Sequence, residues 1–149
     1  VLSEQNKWQG AVEVLSAQQR LYPERRDLRL YLAEALTSNN QPLQAQALLK
    51  PLTQEQASDR YAWQSLQLAN EKLAKTSSSA AIKAITTINA LRYRSHDQLW
   101  NGRYDSALTS LTQAKQLAKQ LPNSSGRSPL LASIKKEISE VKTAQDFKP

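Results

Sequence analysis

An alanine flanked by apolar residues one helical turn away recurs along this chain. Ala11 is followed 34 residues later by Ala45, and a third copy of the pattern is centred on Ala107. Because an alanine lets two antiparallel helices approach closely, the repeat predicts helical hairpins that stack on one another. Ala107 lies 62 residues after Ala45, short of two full periods, so the array is expected to be irregular in its middle.

Local patterns predict seven or eight helices and no strand. Alanine and straight-chain residues abound, whereas the 149 residues include only 3 glycines and 1 phenylalanine, a balance that favours helices. The expected boundaries are a helix start at Trp8, Asp27 as an N-cap, Pro42 at the first position of a helix, a cap at Ser58–Asp59, and one long helix over residues 80–100.

The end of the chain is expected to form a capping helix. Residues 122–129 are rich in Asn, Ser and Gly and predict a loop, with Ser128 as N-cap and Pro129 at the first helical position. The helix that follows carries one apolar stripe and an otherwise charged surface, as the last unit of a helical stack requires. The fold class expected for residues 1–149 is therefore a single all-α helical-hairpin solenoid with a C-terminal capping helix.

The net charge of +7 lies entirely in the second part of the chain. Residues 1–60 hold seven basic and seven acidic side chains, so residues 61–149 carry the whole excess. Such an excess suits nucleic acid, anionic lipid or an acidic protein, although a solvated lysine-rich surface is the commoner explanation. No apolar run approaches the roughly 18–20 residues that a membrane-spanning helix needs.

The inventory of reactive side chains argues against catalysis and against a metal or cofactor. Cysteine is absent and His96 is the only histidine, so no HExxH zinc site can form and no serine has a recognisable base. We expect His96 to face solvent or line a groove. Glu137 and Glu140, beside Lys136, are expected to form a solvated face, and Trp8, Trp63 and Trp100 to be core residues.

Several runs resemble a known repeat family. Gly102, Tyr104 and Ala107, with Leu111 and Ala114, resemble the second helix of a tetratricopeptide (TPR) unit, as do residues 8–11 with Pro23. More narrowly, residues 30–45 and the run from His96 to the final Asp-Phe-Lys-Pro are similar to the C-terminal TPR domain of BepA/YfgC-type bacterial periplasmic zinc metalloproteases.

The resemblance implies a periplasmic, non-catalytic protein-interaction domain whose protease domain precedes it. Partners would be proteins of outer-membrane assembly or quality control. The chain contains no methionine, so we also expect it to be a fragment of a longer protein or to have lost a leader.

Binding is expected in a concave groove lined by the first helix of each hairpin. Spacing from Ala45, extended by analogy to the later helices, selects these groove residues: Tyr31, Glu34, Ser38, Gln64, Leu68, Arg92 and His96. Each of them could equally be an ordinary surface residue. The leading hypothesis is a module that binds a protein or peptide. A general scaffold and a basic helical repeat that binds nucleic acid remain alternatives, although nucleic acid is not the expected partner, and an enzyme is disfavoured by the motif inventory.

Overall fold

A computed structural model describes residues 2–123 and 126–147. These residues form seven α-helices and contain no strand. The helices are α1 (Leu2–Leu21), α2 (Arg26–Ser38), α3 (Pro42–Glu55), α4 (Arg60–Thr76), α5 (Ala80–Trp100), α6 (Tyr104–Lys119) and α7 (Arg127–Asp146).

The helices form a row in which each packs against the next along the chain, and α2 also packs against α4. That last contact joins the first helices of two successive hairpins, which is the arrangement of a solenoid. The terminal helix α7 packs on α6, buries Ile134 and Val141, and leaves most of its remaining surface exposed. The expectation of an all-α, TPR-like solenoid with a C-terminal capping helix is confirmed.

Two caps and a proline explain where three of the helices begin. Asp59 precedes α4, and its carboxylate accepts a hydrogen bond from the backbone N–H of Ala62 at 3.1 Å. Ser79 does the same for α5, where its hydroxyl accepts from the N–H of Ile82 at 3.3 Å. Pro42 is the first residue of α3, where its missing N–H costs nothing. The boundaries predicted at these three positions are confirmed.

Other predicted boundaries are wrong. Helix α1 already begins at Leu2, and α2 begins at Arg26, so Asp27 lies inside the first turn instead of capping it. Helix α7 begins at Arg127, and Gly126 precedes it with φ of +72°, a conformation that glycine adopts at little cost. Ser128 is thus a helical residue and not the N-cap. Residues 124 and 125 of the predicted loop lie outside the described residues.

Two hydrophobic cores lie one after the other along the row. The first joins α2, α3 and α4 through Leu32, Leu49 and Leu66, and the second joins α5, α6 and α7 through residues such as Ile88 and Leu111. The repeated alanines lie inside these cores, since Ala45 and Ala107 are completely buried. Ala11, on the first helix of the row, is only half-buried.

The three tryptophans differ in their burial. Trp63 is buried as predicted, and Trp8 is half-buried. Trp100 is 48% exposed, so its prediction as a core residue is wrong. The side of α5 that faces α6 at this end carries Gln98, whose carbonyl oxygen accepts a hydrogen bond from the Ser110 hydroxyl at 2.7 Å. Two positions further on, Trp100 is turned about 200° around the helix and points away from α6.

A charge at Ala45 should strongly destabilise the domain, whereas a charge nearby on the same helix should not. Ala45→Asp buries a carboxylate without a partner, and we expect it to cost about 3 kcal/mol or more of unfolding free energy. Ala47 is exposed on α3, so Ala47→Asp should cost about 1 kcal/mol or less, chiefly through helix propensity. Urea denaturation followed by circular dichroism measures both. Equal unfolding midpoints for the two variants would contradict a tight crossing at Ala45.

Candidate protein-interaction groove

A groove runs between α2 and α4. Its cavity of about 330 Å³ is lined by side chains from both helices, namely Glu34, Thr37, Ser38, Tyr61, Gln64, Ser65 and Leu68. Four of the residues predicted from spacing, Glu34, Ser38, Gln64 and Leu68, thus lie together. We call this cavity the α2–α4 groove.

Apolar side chains are exposed in and beside the α2–α4 groove because of how α4 packs. Its core face carries Ala62, Leu66 and Ala69, so Leu68 projects from the other side of the helix and is 57% exposed. Tyr61 lies on the same side, and Tyr31 of α2, 52% exposed, stands three residues before Glu34 and so shares its side of that helix. Exposed aliphatic and aromatic groups in a concave site are typical anchors for a partner.

A hydrogen bond crosses the α2–α4 groove and fixes one of these rings. The Tyr61 hydroxyl donates to the Glu34 carboxylate at 2.7 Å. This bond, together with partial burial and the negative charge of Glu34, raises the pKa of Tyr61 to about 12. Tyr61 was missed by sequence reasoning, although it stands three residues before Gln64 and seven before Leu68, the spacing of one helix face.

A carboxylate on α5 connects that helix to α4. Asp97 accepts hydrogen bonds from Arg60 Nε at 2.9 Å and from Gln64 Nε2 at 3.1 Å. Gln64 therefore links the groove wall to the C-terminal half of α5. Because both bonds come from α4, they hold the position of that helix along α5.

The remaining two predicted residues lie elsewhere. Arg92 and His96 line a separate cleft of about 300 Å³, to which α3 contributes Lys50 and Gln54 and α7 contributes Glu137. We call it the α3–α7 cleft. It shares no lining residue with the α2–α4 groove. Six of the seven predicted residues therefore line two separate sites and not one continuous groove, and Tyr31 lines neither.

The Glu137 carboxylate contacts both Arg92 and His96 of α5. Its two oxygens have separate partners: Arg92 Nε is 2.6 Å from Oε1, and His96 Nε2 is 2.8 Å from Oε2. The Glu137 side chain is only 12% exposed, so the prediction of a solvated face is wrong for this residue, whereas Glu140 is exposed as expected. These partners are 45 and 41 residues away in sequence, and no local pattern signals such contacts.

His96 also stacks on Trp63. The ring centroids are 4.1 Å apart with an angle of 10° between the planes, and Trp63 Nε1 donates to the carbonyl of Ala57 at 2.7 Å. His96 thus bridges the tryptophan of α4 and the carboxylate of α7. No group of three or more metal-binding side chains occurs among the residues that the structure describes.

Residues 2–69 match the model of the Tetratricopeptide repeat family. The match includes α1 to α3 and most of α4, so every residue that lines the α2–α4 groove falls within it. TPR repeats generally mediate protein–protein interaction. A comparison with curated proteins gives no match. Within 2–123 and 126–147, no helix is both long and apolar enough to cross a bilayer.

Removing the charge of Glu34 should lower the pKa of Tyr61. In Glu34→Gln the charged acceptor is lost, and we expect the Tyr61 pKa to fall from about 12 towards the usual value of about 10. Glu71→Gln, on the exposed face of α4 and without contact to Tyr61, is the matched control. The pH titration of the Tyr61 ring signals by NMR measures the pKa, and an unchanged value in Glu34→Gln would contradict the proposed cause.

The raised pKa of Tyr61 determines how this side chain makes the stability of the fold depend on pH. The protonated phenol is favoured in the folded chain, so its contribution to stability is complete below the unfolded pKa of about 10 and is lost as the pH rises through about 12.

Proposed function

We propose that this chain is a non-catalytic protein-interaction module that binds an extended polypeptide segment in the α2–α4 groove. The observation that carries the proposal is that exposed Leu68 and Tyr61 line a concave surface whose remaining side chains are polar, with exposed Tyr31 beside it on α2. Burial of these apolar groups would supply binding energy, on the order of 1.5–3 kcal/mol for a side chain that becomes fully covered.

Polar side chains of the groove suit the backbone of such a segment. Ser38, Ser65 and the side-chain carbonyl oxygen of Gln64 offer hydrogen-bond donors and acceptors on both walls. A strand-like or irregular segment exposes its own N–H and C=O groups, which these side chains can satisfy. Because the Tyr61–Glu34 bond already ties the two walls together, less side-chain freedom is lost on binding.

We further propose a cellular context from the resemblance in residues 30–45 and from His96 onward. The chain would be the C-terminal TPR domain of a BepA/YfgC-type periplasmic zinc metalloprotease, with partners among the proteins of outer-membrane assembly or quality control. The HExxH segment would then lie in a preceding protease domain, since a chain with one histidine cannot supply its two histidine ligands.

A charge in the groove should abolish partner recovery. We expect the wild-type chain to recover outer-membrane assembly proteins from a periplasmic extract, and Leu68→Asp to lose them because a carboxylate replaces the apolar anchor. Leu43→Asp makes the same change at an exposed leucine of α3 outside the groove and should behave as wild type. The bound proteins are quantified by mass spectrometry. Equal recovery by the two variants would contradict binding in the α2–α4 groove.

The protease context has its own test. The coding sequence immediately upstream of Val1 should encode an HExxH segment within a helical pattern. An upstream stop codon, or a preceding domain without this segment, would refute the protease context while leaving the groove proposal intact.

A further inference from the structure

The α3–α7 cleft contains more hydrogen-bond donors than the chain itself uses. Arg92 donates to Glu137 through Nε, which leaves its two terminal amino groups without an acceptor among the described residues. The Lys50 ammonium and the side-chain amides of Gln54 and Asn89 also line the cleft and have no side-chain partner in the described part of the chain. Unpaired donors that converge on one cavity favour a ligand that accepts hydrogen bonds.

The charge of the cleft favours an anion. Two basic side chains, Lys50 and Arg92, line it together with a single carboxylate, that of Glu137. Glu137 already pairs with Arg92 and with His96 and is almost buried. The cleft therefore retains an excess of positive charge at the exposed Lys50 end, and a guanidinium with free terminal amino groups is well suited to a planar anion.

Two features favour a carboxylate of a protein over a nucleic acid. Glu137 demonstrates that this cleft accommodates a carboxylate between Arg92 and His96. Single-stranded nucleic acids need accessible aromatic faces on which bases stack. Trp63 is buried, with His96 stacked on its ring, so that tryptophan offers no free face.

We propose that the α3–α7 cleft is a second binding site, for an acidic protein segment, whose carboxylates are held by Lys50 and by the terminal amino groups of Arg92. The amides of Gln54 and Asn89 donate to the same carboxylates. This site is distinct from the α2–α4 groove and does not depend on the function proposed for it. A partner could engage both sites at once, one through an apolar anchor and the other through acidic residues.

An oligoglutamate peptide with blocked ends is a direct probe. Titrated into the whole chain at low salt, it should shift the NMR signals of the Asn89 and Gln54 side-chain amides, and calorimetry gives the Kd. Lys50→Gln should weaken binding by about two- to fivefold, as expected for one partly exposed charge contact. Gln54→Glu places a repelling carboxylate in the cleft and should weaken it at least as much. Both residues are exposed, so neither change should disturb the fold.

Matched changes outside the cleft distinguish peptide binding in the cleft from a general effect of the net charge. Lys135→Gln removes one positive charge from the exposed face of α7, and Gln113→Glu adds one negative charge to the exposed face of α6. Both should leave the Kd unchanged. Leu68→Asp, in the groove, should also leave it unchanged, which distinguishes this site from the groove.

Three results would overturn the proposal. The first is no shift of the Asn89 and Gln54 amides on addition of the peptide. The second is an equal loss of affinity in Lys50→Gln and Lys135→Gln, which would show attraction to the basic surface alone. The third is tighter binding of a single-stranded oligonucleotide of the same charge through the same residues, which would assign the cleft to nucleic acid.

Discussion

The close approach of helices at buried alanines is the constraint on which the structure depends. Ala45 and Ala107 are completely buried, so no side chain beyond Cβ separates the helices that meet there. Large residues such as Leu49 and Leu111, one turn further on, fill the space beside them. A hairpin packed in this way still has an apolar face to bury, and covering it with the next hairpin produces the observed row of helices.

The same packing creates the α2–α4 groove. Because α2 and α4 turn their leucine- and alanine-rich faces into the first core, their opposite faces are left side by side at the surface. Leu68 and Tyr61 are exposed there as a geometric consequence of burying Leu66, two positions before Leu68. The residues that match the TPR family are those that build this part of the fold, so the groove follows from the regular part of the repeat.

Much of this could be predicted from local sequence. The helices follow from spacing within one or two turns, since a helix repeats every 3.6 residues. The buried alanines follow from the longer repeat, and the four groove residues from their position relative to Ala45 and from the analogy between hairpins. The contacts of Glu137 with Arg92 and His96 could not be predicted, because they join helices that local periodicity does not relate. Trp100 was predicted as a core residue from its spacing and its type, but its position around α5 decides its exposure. The predicted N-caps Asp27 and Ser128 are wrong because each helix begins one residue before them.

The irregular spacing of the repeat has a structural cause in α5. This helix serves both cores: Tyr93 packs against the first, and Ile88 belongs to the second. Helix α5 packs against α4 and against α6. The two alanines lie in α3 and α6, three helices apart where two full hairpins would span four, so Ala107 comes 62 residues after Ala45 and not two full periods later. The shared helix also brings Arg92 and His96 beside Trp63 of the first core and Glu137 of α7. The α3–α7 cleft therefore lies where α5 passes between the two cores.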